Sequence, residues 1–121
     1  MAHRIARVLS ALSLMAALAD LPAYGHAVIV SSQPTSGETV SGPTVPLMLR
    51  FNSRIDRRRS RLALVAPGGQ TAVLSIETAL GPDILSANAV GLRPGRYWLH
   101  WQVMSIDGHI TRGDIPFDVM Q

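Results

Sequence analysis

Residues 96–104, RYWLHWQVM, alternate between two sets of side chains with a period of two. Tyr97, Leu99, Trp101 and Val103 fall on one side of an extended chain. Trp98, His100, Gln102 and Met104 fall on the other. Successive side chains of a strand point to opposite faces, so the run reads as a half-buried strand with the first set toward a core. No stretch beyond residue 25 repeats apolar residues at helical spacing over about ten residues. The chain must therefore bury the faces of strands, and a strand face is buried only against a second layer.

The remaining segments fit that demand. AVIVSS (27–32) is short and β-branched. TVPLMLRF (44–51) puts Val45, Leu47, Leu49 and Phe51 on one face. Pro46 suits an edge or a strand start, where its missing N–H leaves no gap in a ladder. RLALVA (61–66) runs into the turn PGG (67–69), and QTAVLSI (70–76) returns as its hairpin partner. ETALGPD (77–83) reads as loop, ILSANAV (84–90) as a weaker strand and GLRPG (91–95) as a turn. GDIPFDVM (113–120) closes the chain with Ile115, Phe117 and Val119 on one face. About seven short strands predict an all-β fold, a Greek-key β-sandwich or barrel. Its expected core includes Leu49, Phe51, Leu64, Leu99, Trp101 and Phe117.

The first 25 residues have a different character. MAHRIAR carries two Arg and no acid, and the twelve-residue apolar run VLSALSLMAALA follows. That run is short of the ~20 residues a membrane span needs, so the segment reads as a secretory signal peptide. Small residues allow two cuts. Cleavage after Ala19 leaves Asp20 first, and cleavage after Gly25 leaves His26 first. Spacing alone does not choose. The second cut leaves one domain, 26–121, of 96 residues, enough for a single modest core.

Charge and composition remove several function classes. Residues 26–121 carry nine Arg, seven acids and no Lys. Five of the Arg crowd into RIDRRRSR (54–61) without interleaved aromatics, so nucleic-acid binding is a poor reading. The patch reads as a solvated loop between strands, with docking on an acidic partner or lipid headgroups as the other reading. The chain has no Cys, which excludes disulfides and thiolate metal sites. No Gly-rich phosphate loop or nucleophile elbow is present, and Ser105, Asp107 and His109 at one strand end do not make a triad.

The chemistry concentrates in SIDGH (105–109). Asp107 and His109 are two apart across Gly108, which lets the chain turn tightly while both side chains converge. A carboxylate and an imidazole make half of a divalent metal site, and alone they more often form a hydrogen-bonded loop. His26 adds weight. A His at a free N-terminus chelates through its α-amine and Nδ1, and an α-amine loses its proton at about pH 7.7–8. Two nitrogens from His26, one from His109 and one oxygen from Asp107 would form an N3O set. Tetragonal N/O ligation suits Cu(II) best. His100, between two Trp on the outer face, reads as structural or solvent-facing. Met48, Met104 and Met120 are widely separated and read as core filling.

HAVIVSSQPTSGETV at one end and GRYWLHWQVMSIDGHITRGDIPFDV at the other resemble the periplasmic copper-resistance protein family CopC. The resemblance covers nearly all of residues 26–119, strong at both ends and looser between 52 and 90. It implies a cupredoxin- or immunoglobulin-like Greek-key barrel and a Cu(II) site formed by His26, Asp107 and His109. It favours cleavage after Gly25. Some members carry a Met-rich Cu(I) segment that this chain lacks. Many carry an acid soon after the Phe that ends the second long strand, where FNSRID here puts Arg54.

The resulting expectation is a monomeric periplasmic protein that sequesters or carries Cu(II) and exchanges it with a CopD-like inner-membrane transporter, without nucleic acid and without catalysis. A copper monooxygenase with a histidine brace is the enzyme alternative. An Asp ligand argues against it, because negative charge favours Cu(II) over Cu(I) and fills the position O₂ needs. A metal-free immunoglobulin-like interaction module is the third reading, favoured if the mature chain starts at Asp20.

Overall fold

The computed structural model describes residues 26–78 and 80–121. The signal-peptide reading of 1–25 lies outside the described residues. Eight strands follow in order: β1 Ile29–Gln33, β2 Thr39–Ser41, β3 Val45–Phe51, β4 Ile55–Val65, β5 Thr71–Leu74, β6 Ile84–Ala89, β7 Gly95–Ser105 and β8 Ile110–Met120. They form a three-stranded sheet, β1-β3-β6, and a five-stranded sheet, β2-β8-β7-β4-β5. The chain changes sheet at every connection except the β4–β5 and β7–β8 hairpins. This is the Greek-key sandwich that the alternating strands predict.

The core follows the period-two faces. Val45, Leu47, Leu49 and Phe51 of β3 are all buried, and they face Leu62, Leu64, Leu99, Val103, Ile115, Phe117 and Val119 from the larger sheet. Each such side chain contributes roughly 1.5–3 kcal/mol of burial. Tyr97 is buried as well and stacks on Phe117, with ring centroids 5.7 Å apart. Its hydroxyl donates to Arg93 O (2.9 Å) and accepts from Arg93 N–H (3.0 Å), the partners a buried phenol needs.

Four expectations need correction. First, the Arg-rich stretch is not a loop. It belongs to β4, which pairs with β7 at Ile55↔Ser105 and Asp56↔Met104 and resumes at Arg61↔Gln102. Residues 57–60 bulge out where β7 offers only Val103 between those pairs. Asp56 Oδ1 accepts the Arg58 and Arg59 N–H groups (3.1 and 3.3 Å), and Ser60 Oγ donates to Asp56 O (2.6 Å), so the bulge is pinned at its base. Charge density suggests a loop, but a bulge leaves Arg58 and Arg59 exposed while Arg57 turns back to donate to Gly81 O (2.7 Å). Second, β2 was absent from the strand reading. It is three residues long and pairs in parallel with the end of β8. Third, the methionines do not fill the core. Met48 and Met104 are half-buried, and Met120 is exposed at the end of β8.

Fourth, Trp101 is only partly buried, although it does pack on the core. Its ring meets Phe51 edge-on at 5.5 Å and lies over Gly113, directly opposite on β8. A Cβ at position 113 would stand 2.4 Å from Trp101 Cζ2. Gly113→Ala is therefore expected to cost about 1–3 kcal/mol, because the indole must leave its place. Thermal unfolding checks this, and a variant as stable as the parent would show that the ring moves freely.

Candidate metal centre

One end of the sandwich gathers three segments. They are residues 26–28 ahead of β1, the β3–β4 turn at 52–54 and the β7–β8 turn at 106–109. The β7–β8 turn is closed by Gly108 N–H to Ser105 O (2.9 Å) and Ser105 N–H to His109 O (2.8 Å). Gly108 sits at φ +90°, a region that side-chain-bearing residues rarely adopt, which explains the Gly in SIDGH. The turn brings Asp107 and His109 together, with Nδ1 of His109 3.2 Å from Asp107 Oδ2.

Asp107 is the most heavily bonded member. Its Oδ1 accepts a short hydrogen bond from Ser105 Oγ and a longer one from His109 N–H (3.4 Å). The Ser105 hydroxyl holds its carboxyl below the ordinary range. The His109 N–H and imidazole add to this, and partial desolvation opposes it. Asp107 thus stays an anion well below neutral pH. Ser105 is buried, and its hydroxyl also reaches His109 O (3.1 Å). The sequence does not single out this role, although Ser and Asp are both residue types that turns favour.

His26 reaches the same place from the other terminus. Its ring centroid lies 5.9 Å from that of His109, with the planes tilted by 55°. Its neighbour Ala27 is buried to 1% exposure. Asn52 and Val28 pair with each other: Val28 N–H donates to Asn52 Oδ1 and Asn52 N–H donates to Val28 O, both at 2.9 Å. The hairpin joins the same turn through Ile106 N–H to Arg54 O (3.3 Å). The residues expected at the metal are therefore neighbours. Among the described residues, however, no three His, Asp or Glu side chains are already arranged to hold an ion. The cause is visible in Asp107, which faces Ser105 and the His109 ring. In this arrangement it stands against Nδ1 of the imidazole, as carboxylates do behind metal-bound His.

His100 does not join the centre. It lies mid-strand on β7, with Nδ1 in a short contact to Asp114 Oδ1 of β8. It lines a shallow groove of about 530 Å³ with Arg61, Gln102, Arg112 and Asp114. That groove is on the outer face of the five-stranded sheet, where these residues alternate with the buried set. The candidate centre is instead an exposed corner, with His26, Asp107 and His109 all open to solvent.

Comparison with known proteins finds relatives of the whole domain. Residues 29–120 match the family model described as the CopC domain. The chain is 30% identical over 112 residues to copper resistance protein C of Xanthomonas campestris pv. juglandis, covering 86% of this chain and 87% of that one. Among solved structures, CopC from Methylosinus trichosporium OB3b superposes with a TM-score of 0.70 at 25% identity, covering 78% of this chain and 93% of its own. PcoC of Escherichia coli, a methionine-rich copper resistance protein, shares the fold, with a TM-score of 0.60 at 19% identity and coverage of 78% and 99%. With the domain model spanning all eight strands, the chain belongs to the CopC family of copper-resistance proteins.

Proposed function

We propose that the mature protein begins at His26, resides in the periplasm and binds one Cu(II) ion as cargo. The ligands are the α-amine and Nδ1 of His26, an imidazole nitrogen of His109 and the Asp107 carboxylate. The observation that carries this reading is the approach of the His26 and His109 rings to 5.9 Å beside an ionised Asp107. Two imidazoles are borderline donors and the carboxylate a harder one, a set that suits Cu(II), and the chain has no Cys with which to favour Cu(I). For Asp107 to enter the set, its carboxylate must trade one present contact for the metal. The exposed corner suits transfer, because another protein can reach the ion without opening the fold. The protein hands copper to, or takes it from, a CopD-like membrane transporter, acts as a monomer and catalyses no reaction.

Copper titration of His26-first protein against a competing chelator is expected to show one Cu(II) per chain. Asp107→Ala and His109→Ala are each expected to weaken binding at least about tenfold, since each removes a donor. Affinity unchanged in both variants would refute the site. Oxygen uptake in ascorbate is expected to match free-copper controls, and uptake well above them would favour the monooxygenase reading.

A further inference from the structure

Asn52 is the first residue after β3 and carries no charge. β1 and β3 pair from Gln33↔Met48 to Ile29↔Phe51, with a register shift between Ile29 and Ser31. Beyond Ile29 the ladder has one more backbone bond, from Asn52 N–H to Val28 O. The Val28 N–H then meets the Asn52 carboxamide oxygen, which stands in for a main-chain carbonyl. The side chain thus carries the pairing one step further toward His26. Ala27, the next residue, is buried in the core. Chain ends normally fray unless something ties them down. Here the tie ends one residue short of the candidate ligand. The same turn holds the other half of the centre, through Arg54 O to Ile106 N–H and through the Ile55↔Ser105 pair.

We propose that Asn52 is a positioning residue for the metal. Its Oδ1 fixes the arm that bears His26 against the turn that also holds the Asp107–His109 hairpin, so that one ion meets both imidazoles without first ordering the terminus. This inference rests on the copper reading above. Ordering a loose segment at the moment of binding lowers affinity, and a segment held in place beforehand avoids that loss. Asn52 thus acts through His26 and touches no ligand ion itself.

The test uses His26-first protein carrying Asn52→Ala or the near-isosteric Asn52→Leu, titrated with Cu(II) against a competing chelator. Both variants are expected to bind about fivefold more weakly, the scale of one net hydrogen bond. Their metal-free unfolding midpoints are expected to stay within a few degrees of the parent. In a His26→Ala background, Asn52→Ala is expected to add no further loss, because its effect passes through that residue. A general structural role would weaken binding equally in both backgrounds and overturn the inference. If His26→Ala and His109→Ala both leave affinity unchanged, the copper reading itself fails. If those weaken binding while Asn52→Ala and Asn52→Leu match the parent, only the role of Asn52 fails. Should neither variant fold, hydrogen exchange on the unaltered metal-free protein decides. A Val28 amide slowed at least about tenfold supports the clamp, and exchange at the rate of an open chain overturns it.

Discussion

A protein that starts at His26 is expected to hold Cu(II) about a hundredfold more tightly than the same protein with one glycine placed ahead of it. In the first, a single residue offers two nitrogens. Once the imidazole is bound, the amine meets the metal at the high effective concentration of a tethered group, which is worth 10²–10⁴ in affinity. In the second, that nitrogen is an amide, a poor ligand for as long as it keeps its proton. The anchored arm is otherwise the same, because the added residue lies beyond Ala27 and Val28, and the glycine's own amine can join the imidazole on one ion only through that intervening amide. The comparison is a chelator competition at one pH. A second signature follows from the amine's proton. Copper must displace it, so affinity of the His26-first form should fall as pH drops below about 7.5, and the glycine-extended form should lose less. Equal affinities would mean that His26 contributes its side chain alone.

Phe117→Ala should be the most damaging change away from the metal. Phe117 has no exposed surface and stacks on Tyr97, whose hydroxyl closes a contact four residues upstream. Truncation deletes a ring from the centre of the sandwich and leaves a cavity, at a cost of about 3–5 kcal/mol. A domain of this size is stable by about 5–15 kcal/mol, so the variant is expected to unfold about 15–30 °C lower, or not to fold at all. Calorimetry of the metal-free protein checks this. A loss below ~1 kcal/mol would mean that the two sheets do not pack through Phe117.

Much of the architecture was legible because a period of two is a direct imprint of burial. β3 and β7 alternate cleanly, and their inward residues are buried, with Trp101 the partial exception. Trp101 departs because its ring needs the room above Gly113, a cross-strand relation that no local window contains. β2 was invisible for a similar reason. Three residues between Gly and Pro carry no period, and their partner lies at the far end of the chain. The Arg-rich part of β4 was misread because charge was weighed above pairing. Its bulge lets Arg58 and Arg59 point outward and turns Arg57 back onto Gly81 O, while Ile55 and Leu62 stay buried on either side. At the candidate metal centre, ligand-type residues stand out by chemical identity. The Ser105 hydroxyl and the Asn52 carboxamide did not, since ordinary polar side chains acquire such roles only through what folding brings beside them.

The parallel pairing of β2 with β8 also governs when the protein can exist as a folded object. Thr39 pairs with Asp118, Val40 with Val119 and Ser41 with Met120, so the larger sheet is stitched from both ends of the domain. Until residues 110–120 are available, β7 lacks one of its two neighbours and β2 has nothing to lie against. The larger sheet is therefore complete only once residues 110–120 are in place, and folding is expected to be slow for a domain of this size, because the decisive contacts join distant residues.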